Sequence, residues 1–326
     1  MPFAGKSVLI TGGTGSFGNA MTAMLLARHE PRRVIIYSRD EFKQYEMRQR
    51  FPDQRLRFFI GDVRDADRLY RACQGVEIVV HAAAMKQVPA AEYNPFECIK
   101  TNVLGAQNVI DAALSAGVER VVALSTDKAA TPINLYGATK LCSDKLFIAG
   151  NAYSGRGGPR MAVVRYGNVV GSRGSVIPLF LKLRDSRTIP ITDPRMTRFW
   201  ITLDQGVQFV VDCLGRMHGG EMFVPKIPST DIITLAEAIA PGCRRETIGI
   251  RPGEKLHELM IGEDDARQTR DMGAYYVVQP AFPWWKDSNL TEGAPVPEEF
   301  SYRSDANPHR LDVEEVRALL GSLGYL

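Results

Sequence analysis

A chain of 326 residues, 45% apolar and 24% charged, has the composition of a globular protein able to bury a sizeable core, as one large α/β domain or two smaller ones. With 40 basic against 37 acidic residues the net charge is +3, which gives no reason to expect nucleic-acid or anionic-membrane binding. Five widely spaced cysteines without CxxC, five histidines without ligand spacing and no run of about 18 apolar residues argue against a disulfide framework, a metal site and a transmembrane helix; with no signal-like N-terminal run, we expect a cytoplasmic protein with reduced thiols.

The first predicted strand is SVLIT (7–11), followed by a glycine-rich turn and a helix over 18–28. Further strands are predicted at RVIIYS (33–38), LRFFIGD (56–62), VEIVVHAAA (76–84), RVVALST (120–126) and MAVVRYGNV (161–169). These runs are continuously apolar and rich in Val and Ile, as in strands buried on both faces. Helical stretches such as 102–117 lie between them. The alternation predicts a Rossmann-type, doubly wound parallel sheet. From about residue 170 glycine, proline and charged loops become frequent, which we read as a smaller α/β substrate-binding part. The expected division is 1–167 with 198–217 for the dinucleotide-binding domain, and 168–197 with 218–326 for the other, interleaved with it. Residues 280–300 read as a long irregular loop, in which Trp284 and Trp285 serve as an anchor or a subunit contact.

Directly after the first strand, Gly12, Gly15 and Gly18 form GxxGxxG, and Gly13, Gly15 and Gly18 form GxGxxG. Glycines at a strand–helix junction permit a tight turn and let backbone N–H groups approach a pyrophosphate. Gly12, Thr14, Gly15, Ser16, Phe17 and Gly18 are therefore candidate cofactor contacts. After the second strand, Ser38 and Arg39 suit a 2′-phosphate and favour NADP. Asp40 comes one or two residues late for the usual ribose acid, and keeps NAD open. Asp62 and Val63 would flank the adenine. Ala82 and Ala83 would let the cofactor lie close, or simply pack.

The stretch STDKAATPINLYGATK (125–140) carries the chemistry. Tyr136 and Lys140, at i and i+4, share a helix face. A nearby ammonium, or an oxidised nicotinamide, stabilises phenolate and should lower the tyrosine pKa, making a base for a hydroxyl proton. Thr126, at the strand end, can hydrogen-bond that hydroxyl. Arg198 (MTRFW) and Arg251 (RPGEK) suit a diphosphate, because a guanidinium pairs bidentately with phosphate oxygens. Asn168 could donate to the diphosphate, Val176 could pack by a base and Glu254 could accept from a ribose.

The glycine pattern with Tyr-x-x-x-Lys resembles the extended short-chain dehydrogenase/reductase superfamily. Within it, residues 125–140, YSRDEFKQYEMR (37–48), KQVPAAEYNP (86–95), MTRFWIT (196–202) and GIRPGEKLHE (249–258) resemble the inverting UDP-N-acetylglucosamine 4,6-dehydratases that begin pseudaminic acid synthesis. Tyr136 matches the branch that keeps the tyrosine where a related branch has Met. Thr131 departs from the family's usual Asn. The resemblance implies that Thr126, Tyr136 and Lys140 serve oxidation at C4, that Lys128 abstracts the C5 proton and that Asp127 protonates the departing 6-hydroxyl. It implies NADP, a UDP-sugar held by Lys86, Asn168, Val176, Arg198, Arg251 and Glu254, and a homo-oligomer, often a hexamer. As a base Lys128 must be neutral. Tyr136, Lys140 and oxidised nicotinamide would depress its pKa, while Asp127 would raise it. A UDP-hexose 4-epimerase shares the fold and the tyrosine but has no use for the charged Asp127-Lys128 pair. A non-catalytic NADP-binding regulator would not need the full catalytic set.

Overall fold

The computed structural model describes residues 2–155, 157–172, 175–281 and 292–326, so Trp284 and Trp285 lie outside the described residues. The six apolar runs form strands β1 (Ser7–Thr11), β2 (Arg33–Ser38), β3 (Leu56–Ile60), β4 (Ile78–His81), β5 (Arg120–Thr126) and β6 (Arg160–Tyr166). They pair in parallel in the order β6-β5-β4-β1-β2-β3, the doubly wound arrangement that the alternating pattern predicts. Helices α1 (Ser16–Arg28), α2 (Glu41–Arg50), α3 (Ala66–Cys73), α4 (Val88–Tyr93), α5 (Pro95–Ile99), α6 (Gly105–Ala116) and α7 (Leu135–Tyr153) connect these strands. A π-helical turn, Lys100–Leu104, precedes α6, and Gly117 ends that helix in the left-handed conformation at φ 67°.

Strand Met222–Pro225 adds to β6 in parallel, and Tyr275–Val278, Thr269–Asp271 and Ala294–Pro295 continue the same sheet antiparallel. The main sheet thus draws on the 218–326 stretch, and part of 280–300 is a short edge strand. The predicted strand over 161–169 is broken at Gly167. A side chain there would collide with Phe199, and Asn168–Val169 instead pairs with Thr197–Ile201 in a separate sheet.

Two cores result. The larger surrounds the main sheet; the smaller gathers Val170, Ile177, Phe180, Ile189, Trp200, Leu235, Ile239 and Leu320. Strand Thr197–Ile201 serves both: Phe199 and Ile201 face the large core, and Trp200, one residue out of phase, faces the small one. Among the described residues no helix is long and apolar enough to cross a membrane.

Thr131 sits at φ 44° on an exposed turn before α7. A β-branched residue is strained in this region, whereas Asn tolerates it. Thr131→Asn is expected to stabilise the fold by about 1 kcal/mol, read as a higher urea midpoint with an unchanged slope. His81, at the end of β4, is buried and hydrogen-bonded through Nδ1 to Thr11 Oγ1 at 2.8 Å. Burial, and then the charge of Lys140, lowers its pKa from 6.5 to about 3. The unfolded chain therefore takes up a proton that the native state refuses. This stabilisation is complete above pH 6.5 and is lost as the pH falls toward 3. His81→Gln should flatten the fall in unfolding free energy between pH 6.5 and 4, by roughly 1–3 kcal/mol; parallel urea series at the two pH values test this.

Candidate active site

Helix α1 opens at Gly15, which is extended (φ −72°, ψ 173°) and provides no side-chain cap, so the first-turn N–H groups face the glycine loop uncapped. The loop has no room for side chains. A Cβ on Gly12 (φ 64°) would lie 2.9 Å from the Ala83 backbone, and one on Gly18 would collide with the Gly13 carbonyl. Ala82 and Ala83 are thus pressed against the turn, and their N–H groups reach Thr11 Oγ1 at 3.2 and 3.3 Å. Thr14 accepts from Asn19 at the helix start, Ser16 is exposed and Phe17 packs on the large core. This cradle fits a dinucleotide pyrophosphate.

Beyond β2, Ser38 is buried and its hydroxyl accepts from Gln44 Nε2 at 3.0 Å. Arg39 is 62% exposed and its guanidinium stands 3.6 Å from Asp62. Asp40 caps α2, accepting from Lys43 N at 3.0 Å and pairing with the Lys43 ammonium at 2.8 Å, so its carboxylate is engaged within that helix. Asp62 is held by Arg64. Val63 is buried against Gly105 and serves the core.

The catalytic turn follows from β5. Thr126 ends the strand in extended conformation and caps the 3₁₀ turn Asp127–Ala129, while its hydroxyl donates to Asp127 Oδ1 at 2.9 Å. Gly137, in the first turn of α7, lets the Lys128 carbonyl press on the helix where a Cβ would collide. That contact brings Tyr136 beside Thr126, whose hydroxyl acts to lower the phenol's pKa. Burial pushes the phenol up to about 12, against the pull of Lys128 and Thr126. The sequence expectation of a lowered tyrosine is corrected here: desolvation wins in the protein itself, and the charge that opposes it is Lys128. Lys140, buried one turn on, is lowered by burial, with Asp144 acting the other way. Its ammonium makes no hydrogen bond or ion pair to the described residues, which leaves its donors free. Below it Asp144 Oδ2 accepts from Ser125 at 2.7 Å and from Arg165 at 3.1 Å, a buried pair that braces β5, β6 and α7.

Lys128 Nζ reaches three acceptors: Asp127 Oδ1 at 3.0 Å, Asn168 Oδ1 at 3.3 Å and Glu258 Oε1 at 3.3 Å. Burial alone would lower this lysine, but Asp127 and Glu258 together outweigh burial and raise it. The balance that the sequence leaves open between depressing and raising neighbours thus falls on the raised side, because a second carboxylate stands against the lysine. Glu258 closes the quoted GIRPGEKLHE segment, yet sequence reasoning singled out Glu254. The available signal was an acid placed directly before an apolar strand, Leu259–Ile261.

Of the remaining substrate candidates, some lie at this turn and others do not. Arg198 donates to the carbonyls of Thr197, Lys255 and Leu256 and stands 3.6 Å from Glu258. Arg251 is exposed and paired with Glu254. Asn134, the cap of α7, donates to Gly253 O at 2.8 Å, and Lys255 donates to Ala130 O, so 253–258 is strapped onto the catalytic turn. Lys86 sits at the rim, lowered by partial desolvation and by Lys128. Val176 begins helix Val176–Leu183 and packs on the small core, away from the Lys128 cluster's direct contacts. Among the described residues no group of His, Cys, Asp and Glu is arranged to hold a metal ion.

Residues 8–280 match the family described as polysaccharide biosynthesis protein. Over 323 residues the chain is 55% identical to an inverting UDP-N-acetylglucosamine 4,6-dehydratase of Campylobacter jejuni subsp. jejuni serotype O:23/36 (strain 81-176), covering 96% of this chain and 97% of that protein. It is 40% identical over 336 residues to a UDP-glucose 4-epimerase of Rickettsia akari (strain Hartford), covering 99% and 98%. The structure of Pen from Bacillus thuringiensis superposes with a TM-score of 0.92 at 36% identity over the whole of both chains. DesIV, a dTDP-glucose 4,6-dehydratase from Streptomyces venezuelae solved with NAD and TYD bound, superposes at 0.69 with 27% identity, covering 77% and 86%. With its doubly wound sheet and its Tyr136–Lys140 helix, the chain belongs to the polysaccharide biosynthesis protein family, in the group of the inverting UDP-N-acetylglucosamine 4,6-dehydratases.

Proposed function

We propose that this protein is an NADP-dependent dehydratase that removes water across C5–C6 of UDP-N-acetylglucosamine and inverts C5. The observation that carries this reading is the Asp127–Lys128 pair, seated at 3.0 Å on the turn that also holds Thr126 and Tyr136. An oxidation site alone needs no second acid and base.

Bound nicotinamide would supply the hydride acceptor at C4 and the donor at C6. Tyr136 takes the 4-hydroxyl proton while Thr126 hydrogen-bonds that oxygen and Lys140 holds the ribose. The resulting ketone acidifies C5–H. Moving one proton from Lys128 Nζ to Asp127 Oδ1 turns an ammonium and a carboxylate into an amine and a carboxylic acid. These are the base for C5 and the acid for the departing 6-hydroxyl, with no proton drawn from solvent. Return of the proton from Lys128 to the other face of C5 gives inversion. NADP is favoured over NAD because Asp40 is engaged as a helix cap while Arg39 is exposed beside Ser38. Lys86, Asn168, Arg198, Arg251 and Glu254 are assigned to the UDP-sugar, with Val176 and the small core on its nucleotide side. The 4-keto-6-deoxy product would serve pseudaminic acid or other surface-glycan synthesis. A homo-oligomer belongs to the same proposal, supported by exposed Phe42, Tyr45, Tyr93 and Phe96.

The second reading, a UDP-hexose 4-epimerase, is favoured by the 40% identity to proteins so named. Incubation with UDP-N-acetylglucosamine and NADP in deuterated water, followed by proton NMR, separates the two. The dehydratase yields a new C6 methyl, deuterium at C5 and the coupling pattern of an inverted ring. The galacto epimer with C6 intact would establish the epimerase instead. Lys128→Ala should keep NADP and UDP affinity but lose at least about 100-fold in dehydration, whereas Tyr136→Phe should stop before the 4-ketone forms. Stopped-flow absorbance of reduced nicotinamide distinguishes the two blocks, and full dehydration by Lys128→Ala would remove that lysine from the mechanism.

A further inference from the structure

Glu258 has no place in the scheme above, yet few side chains are more costly where they lie. Its side chain is 3% exposed. Oε1 stands 3.3 Å from Lys128 Nζ and 3.6 Å from Arg198 Nε, while Oε2 is buried with no hydrogen-bond partner. A carboxylate left so incompletely satisfied away from water is destabilising unless its charge is needed. Its backbone is fixed, since Glu258 N donates to Ser304 Oγ at 2.8 Å and Ser304 N donates to Glu258 O at 2.9 Å. The carboxylate is therefore aimed.

We propose that Glu258 is a positioning residue that keeps the proton on Lys128: with Asp127 and Asn168 it completes a three-acceptor cage, so that the lysine enters the reaction as an ammonium. The catalytic meaning rests on the dehydratase reading. Two successive demands on Lys128 explain the arrangement. In the first step Tyr136 must stand as phenolate to take the 4-hydroxyl proton, and Lys128 is the cation that favours that form. In the second, the same ammonium gives its proton to Asp127, which delivers it to the leaving hydroxyl as water, and the amine takes the proton from C5. The cycle closes when the proton collected by Tyr136 returns to Lys128, so no proton is gained or lost from the enzyme.

The other charged and titratable groups facing Lys128 are Asp127 on its own turn, Tyr136 on α7, Lys86 after β4, Arg198 on strand Thr197–Ile201 and Lys255 beside Glu258. Three of these, Lys86, Arg198 and Lys255, are cations and disfavour the ammonium. Glu258, with Oε1 3.3 Å from the ammonium, is the carboxylate that offsets them alongside Asp127.

The test reads Lys128 directly. Competitive acetylation across pH 6 to 11, quantified by mass spectrometry of the peptide containing Lys128, follows the neutral amine without requiring turnover. The wild-type lysine should stay unreactive relative to exposed lysines until high pH. In Glu258→Gln the midpoint should fall by at least one pH unit, and Glu258→Asp should restore much of the wild-type value. A midpoint unchanged in Glu258→Gln, with NADP affinity intact, would overturn the proposal. In turnover of UDP-N-acetylglucosamine, Glu258→Gln should displace the limbs of the pH profile of kcat with KM within about twofold. A uniform loss at every pH without displacement would mark a purely structural residue. If the labelling midpoint shifts while the wild type dehydrates nothing, the dehydratase reading fails and the role of Glu258 on Lys128 stands.

Discussion

The contact between Lys128 Nζ and Asp127 Oδ1 constrains nearly everything around it. An ammonium and a carboxylate in adjacent positions cannot be sunk beside a phenol unless backbone and neighbours hold both. β5 delivers them at its carboxyl end, where a doubly wound sheet opens its crevice. Thr126 caps their turn, and Gly137 lets that turn lie against α7 without a side chain between them. Asn168 arrives from the other side because Gly167 breaks the sixth strand against Phe199. Each of these local choices is a condition for the pair to exist.

Electrostatics then follows from counting buried charges. Asp144 and Arg165 neutralise one another under the sheet end. Above them Lys140 is left with its donors free, and Lys128 and Arg198 share Glu258 while Lys128 also holds Asp127. Lys128 and Arg198 are thus matched by Asp127 and Glu258 at the turn where protons would move.

Much of this was legible beforehand for a physical reason. Strands buried on both faces are written as unbroken apolar runs, and the glycine turn and the 125–140 segment are contiguous in sequence, so β1 to β6, the cofactor cradle and the catalytic turn could all be read. What could not be read depends on distant residues meeting. Glu258 comes to Lys128 across 130 positions, and the strap from Gly253 to Glu258 lying on Asn134 and Ala130, with Ser304 holding its backbone, brings it there. Arg198 looked like a free guanidinium, yet it donates to three backbone carbonyls. The directions of the Tyr136 and Lys128 shifts likewise depended on burial and on that second carboxylate, neither of which is local.

Strand Thr197–Ile201 has a consequence for how the molecule can be taken apart. Phe199 and Ile201 are rooted in one core and Trp200 in the other, so neither lobe has a surface of its own at this point. A fragment that keeps this strand with only one of the two cores would leave either Trp200 or Phe199 facing water. The two lobes are thus not separable modules. Because packed interiors transmit strain, Thr197–Ile201 is the element through which a displacement in one core is felt by the other.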